Sequence, residues 1–177
     1  MESFVNTLLR WPFVEHFLDA YTWVWPVCET LHLIGLALLV GIVGMYDLRV
    51  LGFAKGLPLA PFNRLIPWAI VGFLLTLISG LVFVTGLGAN LRGPIPPQYD
   101  VITTDLWLQL KLLFIFGAGI NALLFYTMGV AREVDAVGPG EDAPPRAKRM
   151  AMISLTLWIL VMWMGRLIPW DLPTGTS

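Results

Sequence analysis

Four continuous apolar stretches, each long enough to cross a membrane as a helix, dominate this sequence. They cover about residues 21–46, 65–87, 106–130 and 150–170, and a spanning helix needs about 20 mostly apolar residues. Because the runs are continuously apolar rather than alternating, they exclude β-barrel strands. The sequence therefore predicts an all-α fold, a polytopic membrane four-helix bundle that forms a single membrane domain over residues 1–177.

The composition supports a membrane protein and excludes several other classes. Hydrophobic residues make up 57% of the chain and charged residues 13%, whereas soluble domains average about 25% charged residues. The net charge of −1 leaves no basic footprint for nucleic acid, so we expect the lipid bilayer as the main partner. With Cys28 as the sole cysteine, an intramolecular disulfide, a cysteine-only zinc site and an iron–sulfur cluster are excluded.

Residues 1–20 precede the first span and do not resemble a signal peptide. Their charges are scattered, and no apolar core with a cleavage site follows. Phe4, Leu8, Trp11 and Leu18 fall near helical spacing. The pattern predicts a short N-terminal amphipathic interfacial helix on the outer surface of the membrane. A helix that packs on a partner subunit is the alternative interpretation.

Lysine and arginine residues predict the orientation of the spans. The loops after the first and third spans hold seven of them: Arg49, Lys55, Arg64, Arg132, Arg146, Lys148 and Arg149. The opposite face holds only Arg10 and Arg92 outside the spans. Because basic residues are retained on the cytoplasmic side, both termini are expected on the outer side.

Four ionisable residues lie inside the spans: Glu29, His32, Lys111 and Arg166. Such residues are costly in a bilayer and are candidates for functional sites. Three of them lie four residues inward from a tryptophan at the outer interface, and His32 lies seven residues inward. The tryptophans are Trp25, Trp107 and Trp170. At about 1.5 Å per residue, the polar groups are expected at one level in the outer half of the bilayer.

This polar layer suits a b-type haem. A histidine inside a four-helix membrane bundle is a usual axial ligand of haem iron, and we predict His32 as that ligand. Lys111 and Arg166 would hold the two propionates. Glu29 would orient His32 or relay protons. Met162 precedes Arg166 by four residues, on the same helix face, and is a candidate second axial ligand; an open or water-bound position is the alternative.

The same residues also have a purely structural interpretation. Buried charges must be paired whatever the function, so Glu29 would pair with Lys111 or Arg166. His32 would then simply hydrogen-bond a neighbour. Under either interpretation we expect the Glu29 carboxylate to contact one of the two cations, directly or through a water or a haem propionate.

Other polar and small residues favour structural roles. Small residues on one face of the second span, among them Gly72 and Ser79, are typical of a helix packing face. Asn121 is expected to form an interhelical hydrogen bond. Asp47 and Arg49, at the cytoplasmic end of the first span, are expected to form a local pair or anchor.

Several motifs form an ordered set along the chain. They are Glu29-x-x-His32, Asp47-Leu48-Arg49, Lys111-Leu112-Leu113 and Gly165-Arg166-Leu167-Ile168. The set resembles a family of uncharacterised bacterial four-span inner-membrane proteins, distantly similar to the membrane domain of copper resistance protein D and to b-type cytochrome four-helix bundles. The resemblance implies a bacterial inner-membrane location with periplasmic termini, and it places Glu29, His32, Lys111 and Arg166 in one polar site. Tyr126 stands where a bis-histidine cytochrome would have its second histidine.

Three functions are compatible with these observations. The first is a haem b-binding integral membrane subunit that passes electrons between an outward-facing redox partner and quinone. The second is a non-catalytic accessory or structural subunit of a larger membrane protein complex. The third is a small-molecule, copper or proton pathway gated by Glu29 and His32. The pattern favours an electron-transfer or accessory subunit over an enzyme acting by itself.

Overall fold

The described part of the chain is helical and contains no strand. It comprises residues 12–90, 102 and 105–168 of a computed structural model. The helices are α1 (Pro12–Ala20), α2 (Val24–Leu51), α3 (Ile66–Asn90), α4 (Leu106–Thr127), α5 (Val130–Asp135) and α6 (Pro145–Leu167), with a 3₁₀ turn over Ala60–Arg64. Four of them, α2, α3, α4 and α6, are long and apolar enough to cross a membrane. The predicted all-α four-helix membrane bundle is confirmed.

The span boundaries differ most from the sequence prediction at two helix ends. Helix α2 continues five residues beyond the expected position 46 and ends where Gly52 takes a left-handed conformation with φ of 109°, which favours glycine. Helix α6 begins at Pro145, five residues earlier than expected, because proline suits the first helical turn. As a result Asp47 lies within a spanning helix rather than in a loop.

The N-terminal segment is described only from Pro12 onward, where it forms α1. Leu18 is buried, whereas Phe13 on another side of the helix is exposed. Helix α1 packs on α3. The predicted residues Phe4, Leu8 and Trp11 lie outside the described residues, and the position of α1 on the membrane surface stays a prediction.

Helices α2 and α3 approach each other at backbone distance. A Cβ atom added to Gly35 would lie 2.7 Å from the carbonyl oxygen of Gly72, and a Cβ atom added to Gly72 would lie 2.7 Å from that of Gly35. Only glycine allows a crossing this close at both positions. The predicted packing face of the second span, which carries Gly72, is confirmed, and it places α2 firmly against α3.

The remaining contacts leave one side of the bundle open. Helix α2 also packs on α6, and α6 packs on α4, whereas α3 and α4 scarcely touch. The Asn121 side-chain amide on α4 donates to the Met150 carbonyl on α6 at 3.1 Å, which confirms the predicted interhelical hydrogen bond. The helices therefore follow the order α3, α2, α6 and α4 around the bundle.

The bundle has two dissimilar ends, named here after their ionisable residues. The His32 end contains the start of α2 and the end of α3, and the Asp47 end contains the end of α2 and the start of α3. The best-buried cluster lies at the Asp47 end and consists of Val50, Leu59, Phe125, Val130, Val134, Ala143, Ala147 and Ala151. The loops after α2 and before α6 both fold onto this cluster, since they supply Leu59 and Ala143. Asp142 of the second loop bonds to Lys55 of the first at 2.9 Å and to Lys148 of α6 at 2.8 Å.

Candidate functional site

His32 lies in the contact between α2 and α3, about one helical turn from the Gly35 crossing. Its Nδ1 atom is 2.8 Å from the Ser79 hydroxyl on α3, and its ring centroid is 5.2 Å from that of Phe83. A Cβ atom on Gly80 would lie 3.6 Å from Cε1 of the ring, so the imidazole rests on a side of α3 that has no bulky side chain there.

The hydrogen bonds around Ser79 favour one tautomer of His32. The Ser79 hydroxyl donates its only proton to the Leu75 carbonyl at 2.6 Å, so its oxygen is left to accept from Nδ1. With the proton on Nδ1, the lone pair lies on Nε2. A donor bond of this kind from the second ring nitrogen is what orients most metal-ligating histidines.

Lys111 is the cation that the structure brings toward His32. It lies on α4 within electrostatic range of the imidazole, and a Cβ atom added to Gly165 of α6 would lie 3.2 Å from its Nζ atom. The glycine therefore leaves room for the lysine stem along α6. Lys111 makes no hydrogen bond or ion pair with the other described residues.

The side chains of the other three predicted site residues are exposed on the isolated chain: Glu29, Met162 and Arg166. On α6 the inward positions include Val161, which is buried, and Gly165, which contacts Lys111. Met162 and Arg166 each follow an inward residue by one position, and are therefore turned by about 100° away from the interior.

Glu29 forms no ion pair with Lys111 or Arg166 within the described part of the chain. The direct contact expected from the sequence is therefore absent. A contact through water or a haem propionate stays a prediction. Of the four residues in the expected polar layer, the structure thus brings together His32 and Lys111.

The described residues include no group of three His, Cys, Asp or Glu side chains that could hold a metal ion. A haem differs from zinc or a di-metal centre in this respect, because one axial nitrogen from the protein is enough to hold its iron. His32 with a free Nε2 lone pair supplies such a nitrogen, and the nearby Lys111 supplies a positive charge for a carboxylate. His32 and Lys111 are therefore the residues at this end of the bundle that a haem would use, and haem binding stays a prediction.

A second polar site, which the sequence did not predict, lies at the Asp47 end. A cavity of about 360 Å³ is lined by all four spanning helices, with Asp47, Asn121 and Ser154 among its polar lining residues. Of the local pair or anchor expected at Asp47 and Arg49, the structure shows an anchor, because Arg49 Nε donates to the Leu57 carbonyl of the following loop at 2.6 Å; the two side chains form no ion pair within the described residues. An acidic residue followed by further apolar residues, Val50 and Leu51, was the signal that α2 continues past Asp47.

Comparisons with protein-family models, with curated proteins and with solved structures found no match to this chain.

Proposed function

We propose that this chain is an integral membrane subunit that holds a b-type haem at His32 and passes electrons between an outward-facing redox partner and quinone. The observation that supports this function best is the hydrogen bond from His32 Nδ1 to Ser79. It fixes the ring between two packed helices and leaves Nε2 as a ligand atom.

The chain's own residues have defined roles in this proposal. Ser79 orients His32 and, as the acceptor of its Nδ1 proton, increases the basicity of Nε2. Lys111 stabilises one propionate from inside the bundle. A bound haem would supply reversible one-electron transfer at its iron. The second propionate at Arg166, the proton relay at Glu29 and a sixth ligand from Met162 or water stay predictions from the sequence, and these three side chains are exposed on the isolated chain.

The direct test is an absorption spectrum of the protein purified from haem-replete cells. We expect a Soret band that His32→Ala abolishes. The matched control is His16→Ala, because His16 is the second of the two histidines in the chain and is exposed on α1. A folded, colourless wild-type protein, or a Soret band that survives His32→Ala, would overturn the proposal.

One observation favours a second candidate function, an accessory subunit of a larger membrane complex. Glu29 and Arg166 are charged, lie within α2 and α6, and are exposed on the isolated chain. Hydrocarbon cannot satisfy such groups, which pair with protein or water instead. Partner helices with complementary polar residues would cover them.

Affinity purification from the native membrane distinguishes the two candidates. An accessory subunit is expected to co-purify with other membrane proteins in stoichiometric amounts and without haem, and Glu29→Gln and Arg166→Gln are expected to weaken that association. Isolation of a haem-loaded chain without partners would exclude the accessory-subunit function.

A further inference from the structure

The cavity at the Asp47 end has the features of a ligand site rather than of a packing gap. Its volume of about 360 Å³ falls in the range of small-molecule pockets, about 300–1,000 Å³. All four spanning helices line it, although α3 and α4 scarcely touch. Because α3 and α4 are both spanning helices, we expect the gap between them to face the bilayer and the ligand to be soluble in lipid.

Asp47 supplies the polar group that makes this cavity specific. The residue is only 5% exposed, and its Oδ2 atom has no hydrogen-bond partner among the described residues. Ser154 lines the same cavity. Arg49 donates from Nε to the Leu57 carbonyl, and its two terminal nitrogens are likewise buried without a partner among the described residues. A buried oxygen without a donor lowers the stability of the folded chain, and a ligand that carries a donor would remove this cost.

The rest of the lining indicates an aromatic ligand. Aromatic side chains surround the cavity: Tyr46, Phe73, Phe125, Tyr126 and Trp158. Aromatic rings pack well against one another in offset or edge-to-face contacts, and Tyr46 and Phe125 already form such a contact, with centroids 6.0 Å apart. A flat ring is therefore a better fit to these walls than a flexible alkyl chain.

We propose that this cavity binds a lipid-soluble aromatic molecule whose ring carries a hydroxyl group, and that the hydroxyl donates a hydrogen bond to the free oxygen of Asp47. A quinol is the simplest molecule of this class in a membrane. The binding site itself does not depend on haem. A role for the ligand in electron transfer rests on the proposed function, with the haem at the His32 end and the aromatic ligand at the Asp47 end.

The test compares two probes that differ at the two ring oxygens, which carry hydrogen in one probe and methyl in the other. Decylubiquinol carries two ring hydroxyls, and its dimethyl ether carries none. Saturable binding to the full chain in nanodiscs is measured anaerobically after subtraction of binding to empty nanodiscs. We expect one quinol per chain and at least tenfold weaker binding of the ether. Equal binding of both probes, or no saturable binding of the quinol, would overturn the proposal.

Two variants locate the site. Asp47→Leu removes the acceptor at similar volume, and Ala122→Phe fills the cavity from a lining position that is otherwise exposed; each should weaken quinol binding at least tenfold. The control is Leu113→Phe on the same helix, which is 59% exposed and outside the lining, and should bind normally. Unchanged binding in either cavity variant would overturn the assignment, and Ala122→Phe decides alone if Asp47→Leu fails to fold.

A comparison of two variants, His32→Ala and Ala122→Phe, separates this inference from the proposed function. His32→Ala should lose the Soret band and keep quinol binding, whereas Ala122→Phe should keep the Soret band and lose quinol binding. A protein that binds quinol but no haem would overturn only the proposed function. A protein that binds haem but no quinol would overturn only the site at Asp47.

Discussion

At the scale of single residues, the hydrogen bond between His32 and Ser79 carries the most chemical information. The Ser79 hydroxyl is held by the Leu75 carbonyl at 2.6 Å and meets Nδ1 of His32 at 2.8 Å. Two fixed bonds thus set both the position and the protonation of one imidazole. The effect is local, so a substitution that removes one oxygen should change the properties of His32 without unfolding the bundle.

Ser79→Ala is expected to retain haem but to raise its midpoint potential, because an imidazole without an acceptor at Nδ1 is a weaker donor and stabilises ferric iron less. Potentiometric titration of the purified protein measures the change. Thr85→Ala is the matched control, since the Thr85 hydroxyl is also buried on α3 but bonds only its own helix, to Leu81 at 2.9 Å. Equal potentials for wild type and Ser79→Ala would refute a positioning role.

The residue scale also shows what the sequence could predict of the site and what it could not. Helical rise alone predicts a similar membrane depth for Lys111 and His32, which stays a prediction, and Lys111 lies within electrostatic range of the imidazole. The sequence did not predict in which direction Glu29 and Arg166 face. The spans are apolar on nearly every side, so no stripe of polar residues distinguishes the interior face from the lipid face. Helix packing sets the direction of these side chains instead. Small residues such as Gly165 leave room for a neighbouring side chain, here that of Lys111.

At the scale of helices, the crossing of α2 and α3 depends on two glycines. Gly35→Ala is expected to lower stability by about 1–3 kcal/mol, the usual cost of overpacking, because its Cβ would lie 2.7 Å from a backbone oxygen that cannot move away freely. Thermal unfolding followed by circular dichroism measures the loss.

The control for this prediction lies on the same helix. A Cβ atom on Gly41 would meet nothing within 4 Å, so Gly41→Ala should leave stability within about 1 kcal/mol of wild type, the difference in helix propensity between the two residues. Similar melting temperatures for both variants would show that the crossing is not as tight as the glycine contacts indicate.

The loops at the Asp47 end are joined by one carboxylate. Hydrogen bonds from Lys148 and Lys55 lower the pKa of Asp142 from 3.8 to about 2. Because the folded pKa lies below the ordinary value, the stabilisation is present above about pH 4 and is lost as the pH falls toward 2. Asp142 is fully exposed, so the effect is expected to be small and sensitive to salt.

Asp142→Asn should therefore have a lower melting temperature than wild type at pH 5, and the difference should vanish near pH 2. Melting curves across this range, at low and at high salt, test the expectation. Glu133→Gln is the reference, since the exposed Glu133 on α5 forms no ion pair within the described residues, and it should melt like wild type at pH 5. A difference for Asp142→Asn that persists unchanged to pH 2 would exclude the carboxylate as its cause.

At the scale of the whole molecule, the distribution of basic residues predicts which end faces the cytoplasm. Lys55 and Lys148 lie in the structure at the Asp47 end, with the other basic residues of the same two loops. Green fluorescent protein fused after Gly138 should fluoresce, and alkaline phosphatase fused to the C-terminus should be active. The reverse pattern would place the Asp47 end outside and would contradict the predicted orientation.

The overall architecture was predictable because it depends on long apolar runs, and the open side of the bundle was not. Continuous hydrophobicity specifies how many helices cross the membrane. It does not specify which helices touch, since lipid and protein surfaces are equally apolar there. The arrangement in which α3 and α4 scarcely touch therefore became visible only in three dimensions, and with it the cavity that contains Asp47.

That same missing contact bears on how the chain is assembled in the membrane. Helices α2 and α3 form one hairpin, α4 and α6 form another, and the two hairpins meet mainly through α2 and α6. Each hairpin consists of consecutive helices, so each can insert and close as soon as its second helix leaves the translocon. Few contacts join α3 to α4 among the described residues. If the chain were split between these two helices and the halves synthesised separately, each hairpin would keep its own helix contact. The two halves should then associate in the bilayer by the docking of α2 on α6.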